Sequence, residues 1–326
     1  MKPTTYKTFE EAASASKSRD QQGSAIVIGN FDGVHRGHQR LIEHAVKLAQ
    51  SGEHAPLRVI ALTFWPHPVR YFRPTLESFE IMTLDQRVDT LGTYGVEEVF
   101  AIPFDKGIAS QTPEEFVIQA LVTSLCAREV IVGEDFHFGH KRSGNVESLT
   151  ELGKKHGFNT HAIPLLDDHG EHISSTRIRT QLKEGALDEV TRLMGRPYTL
   201  TGKVIHGDAR GRELGYPTAN TQVEQEVHLP DGIYTTTLET ERYGSLQACT
   251  YIGSRPTYEE AKGRNVETFV LNVPQTKEGF DLYESRVQIK FHVRQRGDMA
   301  FSSSEELIAQ MDRDVEQARQ WHQGQP

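Results

Sequence analysis

The fold class of this 326-residue chain is decided by the stretch Gly29-Asn30-Phe31-Asp32-Gly33-Val34-His35-Arg36-Gly37-His38. It follows a short apolar run typical of a buried strand, and it leads into an amphipathic helical pattern. A glycine-rich turn between a strand and a helix directs backbone N–H groups and the positive helix end toward a bound anion. The stretch therefore predicts a strand-to-helix unit with an anion site at its turn.

The same alternation continues through the first half of the chain. Short β-branched runs predict strands at residues 25–29, 59–64, 99–102 and 130–133. Helical patterns lie between them, and one begins at Thr112, where Pro113 suits the first helical position and Glu115 completes a capping box. Strands that alternate with helices predict an α/β domain with a mostly parallel sheet, over residues 1–186.

The second half follows a different pattern. A short helix is predicted at residues 186–194, ending at Gly195. Beyond it, runs with a period of two predict antiparallel strands at residues 233–238, 246–252, 268–271 and 287–293. Ser303 and Glu306 then cap a final helix. Residues 187–326 are therefore predicted to form a small β-barrel-like domain closed by a C-terminal helix.

Composition restricts the class of function. The chain has 45 Asp and Glu against 36 Lys and Arg, whereas a protein that binds a nucleic-acid backbone normally has a surplus of basic residues. It has no run of about 18 apolar residues and no apolar signal segment, so we expect a cytoplasmic protein without a membrane span. Cys126 and Cys249 are expected to be buried free thiols. The expected partners are small molecules, and the sequence leaves open whether the chain forms a homo-oligomer.

His35 and His38 are the first candidate catalytic residues. Their spacing places both imidazoles on one side of a helix start, where they can neutralise charge that develops on a phosphate. The stretch contains no obvious covalent nucleophile, so the chemistry that fits is in-line attack by one phosphate on another. The two histidines by themselves also fit a pair of metal ligands or a polar helix start. The glycine-rich turn around them favours phosphate transfer.

Three further segments of the first half point to ligand binding. Ile173-Ser174-Ser175-Thr176-Arg177-Ile178-Arg179 places hydroxyls and two guanidiniums at a predicted helix start, which suits phosphate and also an ordinary helix cap. Gly133-Glu134-Asp135-Phe136-His137-Phe138-Gly139 follows a strand end, where open α/β sheets bind ligands. Thr63-Phe64-Trp65-Pro66-His67-Pro68 also follows a strand, and its aromatic side chains fit either the core or the wall of a flat-ring site.

The second half carries a glycine-rich stretch, His206-Gly207-Asp208-Ala209-Arg210-Gly211-Arg212-Glu213-Leu214-Gly215-Tyr216-Pro217-Thr218-Ala219-Asn220. Its glycines Gly207, Gly211 and Gly215 predict a pliant loop that can fold N–H groups around phosphates. In isolation the loop also fits a glycine-rich hairpin with a polar end. It is not a Walker A loop, because no Gly-Lys-Ser/Thr sequence follows.

Three oxygen-bearing residues complete the candidate site of the second half. Thr218 and Asn220 offer neutral oxygens on one side of an extended segment, and Mg²⁺ bound with ATP accepts such ligands. Glu267, at the start of a predicted strand, can accept the proton of an attacking hydroxyl. The alternative for Glu267 is a solvated carboxylate at a strand end.

The four segments of the first half, in their order, resemble the FMN adenylyltransferase module of the prokaryotic bifunctional riboflavin kinase/FAD synthetases. The wider group of nucleotidylyltransferases has an H-x-G-H loop on a Rossmann-like sheet and uses ATP or CTP. The longer forms G-N-F-D-G-V-H-R-G-H, T-F-W-P-H-P, G-E-D-F-H-F-G and I-S-S-T-R-I-R are similar to the flavin branch of that group.

This resemblance implies roles for single residues. His35 and His38 would bind the ATP phosphates and stabilise the transition state. Asp135 and Phe136 would help to form the joint ATP and FMN site. The other implied ATP-binding residues of the first domain are Gly29, Phe31, Gly37, Ser175, Thr176 and Arg179.

In the second half, the pattern G-x-x-x-G-R-x-L-G-Y-P-T-A-N resembles the signature of the riboflavin kinase family, a six-stranded barrel. Residues 252–258 and 296–301 resemble further segments of that family. The resemblance implies that Thr218 and Asn220 hold Mg²⁺ and ATP, and that Glu267 is the base acting on the riboflavin 5′-hydroxyl. Arg296 would lie near the flavin, and Gly207, Gly211 and Gly215 would form the phosphate loop.

The departures from the family pattern lie mainly in this second half. The family commonly has Asn, His, Asp and Gly where this chain has Tyr251, Phe269, Asn272 and Glu284. These positions flank the segment that carries Glu267, so they bear on the rate of the kinase step or on flavin binding.

The resulting hypothesis is sequential catalysis with ATP, in which riboflavin is converted to FMN at the barrel and FMN to FAD at the α/β domain. One alternative keeps the fold and changes the phosphorylated acceptor of the first domain. A second alternative makes the barrel a catalytically silent flavin-binding module.

Overall fold

The structure is a computed structural model and describes residues 2–18, 23–76, 79–207, 215–254, 264–275 and 279–325. Residue contacts divide the chain into two units, Met1–Ser175 and Thr176–Pro326. The predicted domain boundary between residues 186 and 187 lies eleven residues further along the chain and stays a prediction. Gly211 and residues 255–258 of the sequence motifs lie outside the described residues.

A parallel sheet forms the centre of the first unit. Its strands are β1 (Thr4–Tyr6), β2 (Ser24–Ile28), β3 (Arg58–Phe64), β4 (Glu98–Ile102), β5 (Ala127–Gly133) and β6 (Asn159–Ile163). They lie in the order β1-β4-β3-β2-β5-β6, and every pair of neighbours is parallel. The prediction missed β1 and β6, the two edge strands, because an edge strand is only partly buried and lacks the apolar run of a central one.

Helices connect these strands. The α-helices are α1 (Phe9–Ser18), α2 (Arg36–Ser51), α3 (Pro68–Phe72), α4 (Leu84–Thr93), α5 (Lys106–Ser110), α6 (Pro113–Phe116) and α7 (Val146–His156). The predicted capping box is confirmed, since Thr112 accepts from the Glu115 backbone and Glu115 from that of Thr112. The helix that begins there continues as a π-helix over Val117–Ser124. A short antiparallel pair, β7 (Asp167–Asp168) and β8 (Glu171–His172), follows the sheet.

A large part of the core of the first unit lies on one side of the sheet. Ile26 and Ile28 of β2 and Ile60 and Leu62 of β3 pack there against the π-helix, whose Leu121 is fully buried. The central strands are covered on both faces, which is why the sequence shows them as continuous apolar runs. The sheet is therefore a rigid support for the loops at its ends.

The second unit contains a closed antiparallel barrel. Its strands are β9 (Tyr198–Ile205), β10 (Thr218–Val223), β11 (Gly232–Thr240), β12 (Gly244–Ser254), β13 (Arg264–Val270) and β14 (Arg286–Arg296). They close in the order β10-β13-β12-β11-β14-β9, with antiparallel pairing throughout. The predicted strands correspond to β11–β14, whereas β9 and β10 were missed. The polar sequence of β10 shows no clear alternation, because most of it is only partly buried.

Three helices belong to the second half: α8 (Ser175–Glu184), α9 (Leu187–Met194) and α10 (Ser304–Gln323). As predicted, α9 ends at Gly195, which adopts a left-handed conformation with φ 71°. Ser303 caps α10 by accepting from the Glu306 backbone. Val315 and Ala318 of α10 pack on the outer face of the barrel against Cys249 and Leu271.

These observations confirm the predicted fold class, a Rossmann-like α/β unit followed by a six-stranded barrel with a C-terminal helix. Both cysteines are free, but Cys126 is only half-buried, contrary to the expectation of two buried thiols. Within the described ranges, no helix is both long and apolar enough to cross a membrane.

Candidate active sites

The loop of residues 29–38, called the histidine loop below, connects β2 to α2 and has an unusual backbone. Phe31 and Val34 have positive φ angles of 50° and 39°, and Gly33 has a φ of 85°. His35 is the N-cap of α2, and its Nδ1 accepts a hydrogen bond from the His38 backbone N–H at 3.3 Å. The turn therefore places both histidines at the positive end of a sixteen-residue helix.

The two histidine rings lie against each other. Their centroids are 3.6 Å apart with an interplanar angle of 19°, and the Phe31 ring meets His38 edge-on at 5.1 Å. A Cβ at Gly37 would lie 3.1 Å from the His35 ring, and one at Gly29 would lie 3.2 Å from the Phe31 ring. These glycines thus leave room for the aromatic stack, a role that adds to the backbone approach expected from the sequence.

Asp32 anchors the histidine loop to the segment around residues 81 and 82. Its side chain is fully buried, and Oδ1 accepts hydrogen bonds from the backbone N–H groups of Ile81 at 2.9 Å and Met82 at 3.2 Å. Its backbone carbonyl accepts from Ser175 Oγ at 2.7 Å. The structure thus brings Ser175, a predicted ATP-binding residue, to the histidine loop.

Thr176 and Arg179 follow Ser175 in the same helix, α8. Thr176 is exposed and Arg179 is half-buried. Both residues belong to the second compact unit. Their roles in nucleotide binding stay predictions.

The sheet order reverses between β2 and β5, and the loops that follow these strands flank the crevice where open α/β sheets bind ligands. A cavity of about 460 Å³ opens there. Gly29 and Asn30 of the histidine loop line one part of it, and Asp135 and Phe136 line another. The structure thus joins two segments that the sequence separates by about a hundred residues.

The segment after β3 contributes the aromatic wall of this cavity. Phe64, His67 and Pro68 line the cavity, whereas Thr63 is buried below it. Trp65 instead lies 5.3 Å from the guanidinium of Arg87. Part of this segment, Thr63, therefore belongs to the core, and another part, Phe64, His67 and Pro68, forms a wall of the cavity.

Sequence reasoning missed several residues that line the cavity. Phe104 lies on a loop with no motif, and the exposed Lys141 and Arg142 follow Gly139. Lys141 and Arg142 have positive φ angles of 53° and 58°. Such angles are uncommon for residues other than glycine and often mark functional sites, but a sequence does not display them.

In the second unit, cross-strand register assembles the candidate site. Asn220 of β10 and Tyr251 of β12 are the direct partners of Glu267 on its two sides. Directly paired residues point to the same face of a sheet, so these side chains form one row on the outer face of the barrel. Glu267 was predicted to begin its strand, but β13 begins at Arg264, so Glu267 lies in the middle of a paired strand.

Polar side-chain atoms converge around Glu267. Thr218 Oγ1 lies 3.3 Å from Glu267 Oε2, and Asn265 Nδ2 donates to Oε1. A Cβ at Gly207 would lie 2.2 Å from Asn220 Nδ2, so this glycine packs directly on the predicted metal ligand. Gly215 has a φ of 87° and open space beside it. The structure therefore brings together Gly207, Thr218, Asn220 and Glu267.

Arg296 lies at the end of β14 and is engaged by the C-terminal helix. Its Nε and Nη2 donate to the Asp314 carboxylate of α10 at distances of 2.7–3.2 Å. Its Nη1 donates to the Gly297 carbonyl at 3.0 Å. The guanidinium thus ties the barrel to α10, and its contact with a flavin stays a prediction.

The departures from the family pattern have distinct surroundings. The Tyr251 hydroxyl bonds to Asp298, and burial together with nearby carboxylates raises the pKa of Tyr251. Phe269 packs edge-on against Tyr216, and Asn272 Nδ2 donates to Gln247 at the surface. Glu284 has a φ of 64°, a conformation that favours glycine, and pairs with Lys203.

Comparisons with known proteins cover both units. A model of the FAD synthetase family matches residues 17–177, and a model of the riboflavin kinase family matches residues 194–322. A crystal structure described as a macrolide-efflux protein from Streptococcus pneumoniae has a TM-score of 0.84 and 28% sequence identity to this chain. The match covers 98% of this chain and 100% of that one. The two chains therefore share a fold.

Two named relatives extend over nearly the full length. The bifunctional riboflavin kinase/FMN adenylyltransferase of Escherichia coli K12 is 32% identical over 301 residues, 92% of this chain and 93% of the relative. The protein of the same name from Buchnera aphidicola subsp. Schizaphis graminum is 31% identical over 295 residues, 90% and 92% of the two chains. Together with the two family models, these matches show that the chain belongs to the bifunctional riboflavin kinase/FMN adenylyltransferase family.

Proposed function

We propose that this chain phosphorylates riboflavin to FMN at its barrel and adenylylates FMN to FAD at its α/β unit, with ATP as the second substrate of both steps. The observation that carries the proposal is the stacked histidine pair at a helix N-terminus, on a loop whose first residues, Gly29 and Asn30, line a cavity with aromatic walls. The family membership of both halves supports it.

Adenylyl transfer in the first unit requires in-line attack of an FMN phosphate oxygen on the α-phosphorus of ATP. A new phosphorus–oxygen bond forms, the bond between the α- and β-phosphates breaks, and pyrophosphate leaves. His35, His38 and the N-terminus of α2 stabilise the negative charge that develops on the phosphates. Gly29, Phe31, Gly37 and Ser175 would form the surrounding nucleotide site, and the family resemblance adds Thr176 and Arg179 as further candidates.

The flavin ring of FMN would occupy the 460 Å³ cavity. Phe64, Phe104 and Phe136 offer flat apolar surfaces, which suit an aromatic ring system. Asp135 is a hydrogen-bond acceptor in the same cavity. Lys141 and Arg142 supply positive charge for the FMN phosphate.

Phosphoryl transfer in the second unit would use Glu267 as the base that accepts the proton of the riboflavin 5′-hydroxyl. The hydroxyl oxygen then attacks the γ-phosphorus of ATP, and ADP leaves. Gly207, Gly211 and Gly215 would surround the phosphates, and Arg296 would lie at the flavin end of the site.

Mg²⁺ fits the donor set of this second site. Thr218 Oγ1 and the side-chain oxygen of Asn220 are hard neutral ligands, and the Glu267 carboxylate lies beside them. When bound, the ion neutralises charge on the ATP phosphates. Thr218 and Asn220 would hold it, and the absence of a side chain at Gly207 leaves room for the Asn220 side chain.

A time course with riboflavin, ATP and Mg²⁺, with the three flavins separated by chromatography, tests both steps. We expect FMN to appear transiently and FAD to follow. Removal of Mg²⁺ with a chelator should stop both reactions. Replacement of FMN by other phosphorylated acceptors tests the first unit, and FAD-forming activity that is indifferent to FMN would contradict the proposal.

Tyr251 supports a second candidate, in which the barrel binds flavin without phosphorylating it. Its phenol lies beside Glu267 and is held by Asp298. FAD formation from FMN but not from riboflavin would favour this candidate. The cytoplasmic location stays a prediction, and light scattering on the purified chain would determine whether it is a homo-oligomer.

A further inference from the structure

Arg87, on α4, is a fully buried arginine close to the histidine loop. Its relative exposure is 0%, and it is one of the largest completely buried side chains. A guanidinium removed from water is strongly destabilising unless charged and polar groups surround it. With no exposed atom, Arg87 has no access to a substrate, so its partners indicate its role.

Those partners belong to two different walls of the first site. Arg87 Nη2 lies 3.7 Å from Oδ1 of Asp32, three residues before His35. Its Nη1 donates to Thr63 Oγ1 at 3.3 Å, and its guanidinium lies 5.3 Å from the centre of the Trp65 ring. One side chain therefore connects the histidine loop to the end of β3.

A second link runs in parallel. Thr63 Oγ1 donates to the backbone carbonyl of Asn30 at 3.0 Å, so the hydroxyl that accepts from Arg87 also binds the histidine loop. Asn30 lines the cavity, as does Phe64, the neighbour of Thr63. Arg87 and Thr63 together thus fix the distance between the phosphate side and the cavity side of the site.

The histidine loop needs such support because its backbone is strained. Phe31 and Val34 occupy the left-handed region, which is unfavourable for side chains with a Cβ. The Asp32 carboxylate holds the loop through two backbone N–H groups of residues 81 and 82, and Arg87 neutralises its charge.

We propose that the Arg87–Asp32 pair is a positioning device for adenylyl transfer. It holds the two histidines at a set distance from the flavin cavity, so that the FMN phosphate meets the α-phosphorus of ATP in line. The inference rests on the proposed adenylyltransferase function. Misplacement of reacting groups lowers turnover more than binding, so loss of this pair should reduce kcat more than it changes the KM values.

The test uses the full chain and the variants Arg87→Lys, Arg87→Met and Asp32→Asn/Arg87→Met. For each, kcat and the KM values for FMN and ATP are measured in FAD formation. Riboflavin phosphorylation by the same samples reports on the second unit, and urea unfolding reports on stability. We expect Arg87→Met to lower kcat about 10²-fold with KM values within about threefold of wild type. The kcat of Arg87→Lys should lie between those of the wild type and Arg87→Met, because lysine keeps the positive charge but lacks the several N–H donors of the guanidinium.

The double variant separates positioning from stability. It removes both buried charges, so stability should recover relative to Arg87→Met, while kcat should stay low because the link to Thr63 and Trp65 is still missing. Recovery of kcat together with stability would show a purely structural role and overturn the proposal. If Arg87→Met does not fold, the kcat values and stabilities of the double variant and of Arg87→Lys still distinguish a positioning role from a purely structural one.

Arg58→Met/Glu98→Gln is the matched control. Arg58 and Glu98 form another buried ion pair of the same unit, with Nη1 and Oε2 3.2 Å apart, at the opposite ends of β3 and β4 from the site. The control should change kcat less than about threefold, and a loss equal to that of Arg87→Met would overturn the proposal. A wild-type chain that makes no FAD from FMN would instead refute the proposed function itself.

Discussion

At the scale of single residues, the catalytic candidates of the two units depend on different geometric facts. The histidines need a local turn, and their spacing of three already predicts a common side. Glu267 needs strand register, because its neighbours Asn220 and Tyr251 are 47 and 16 residues away in sequence.

His38→Ala should reduce FAD formation from FMN by about 10²-fold, the scale of a lost donor to developing charge. FMN formation from riboflavin should stay near the wild-type rate, because Glu267 and its neighbours lie in the other unit. Initial rates of both reactions provide the measurement. His44→Ala, on the same helix but outside the histidine loop, is the control, and equal loss of both activities in His38→Ala would contradict two separate sites.

Gly207→Ala should lower the rate of FMN formation about tenfold, since misplaced reacting groups lose turnover. The new Cβ would lie 2.2 Å from Asn220 Nδ2, so the proposed metal ligand must move. Gly324→Ala is the matched control, because a Cβ there meets its nearest atom at 3.6 Å. A Gly207→Ala enzyme with an unchanged kinase rate would argue against Asn220 as a ligand.

At the scale of elements, the starts of capped helices could be predicted from the sequence, whereas the edge strands of the sheet and the π-helix could not. The side chains that cap α6 and α10 lie within three residues of the backbone groups they bind, so Thr112 and Ser303 could be identified directly. The change to a π-helix at Val117 could not, since no short sequence signal marks it.

Glu284, in the turn before β14, offers a test of backbone strain. Glu284→Gly should melt about 2 °C higher than Glu284→Ala, because only glycine accepts a φ of 64° without steric cost. Both variants lose the ion pair with Lys203, so comparing them isolates the backbone effect. Equal melting temperatures in a thermal scan would mean that this turn relaxes without strain.

At the scale of the whole molecule, stability should depend on pH through the packing of α10 on the barrel. His292 stacks on Trp321 of α10 at 4.6 Å and bonds to Thr237. Burial, with smaller effects from His322 and Lys290, lowers the pKa of His292 from 6.5 to about 4. Burial also lowers the pKa of His322.

The unfolded chain therefore takes up a proton at a higher pH than the folded chain does. The free energy of unfolding should fall as the pH drops from about 6.5 toward about 4. His292→Gln should weaken this dependence, which urea unfolding at several pH values would measure. The exposed His169→Gln serves as a control, and an unchanged slope in His292→Gln would exclude His292 as its source.

The sequence by itself determined the alternation of the central strands with helices in the first half, four of the six barrel strands, the two structural classes, the histidine loop and the glycine-rich loop. These features depend on periodicity and on contacts within a few residues, which a linear pattern displays. Only the tertiary structure decided which distant groups meet: Asp32 with Arg87, Gly29 with Phe136 across the cavity, and Glu267 with Asn220. Strand order and register decide which of these groups come close. A buried charge is also unfavourable without a partner, so the fold must place one beside it.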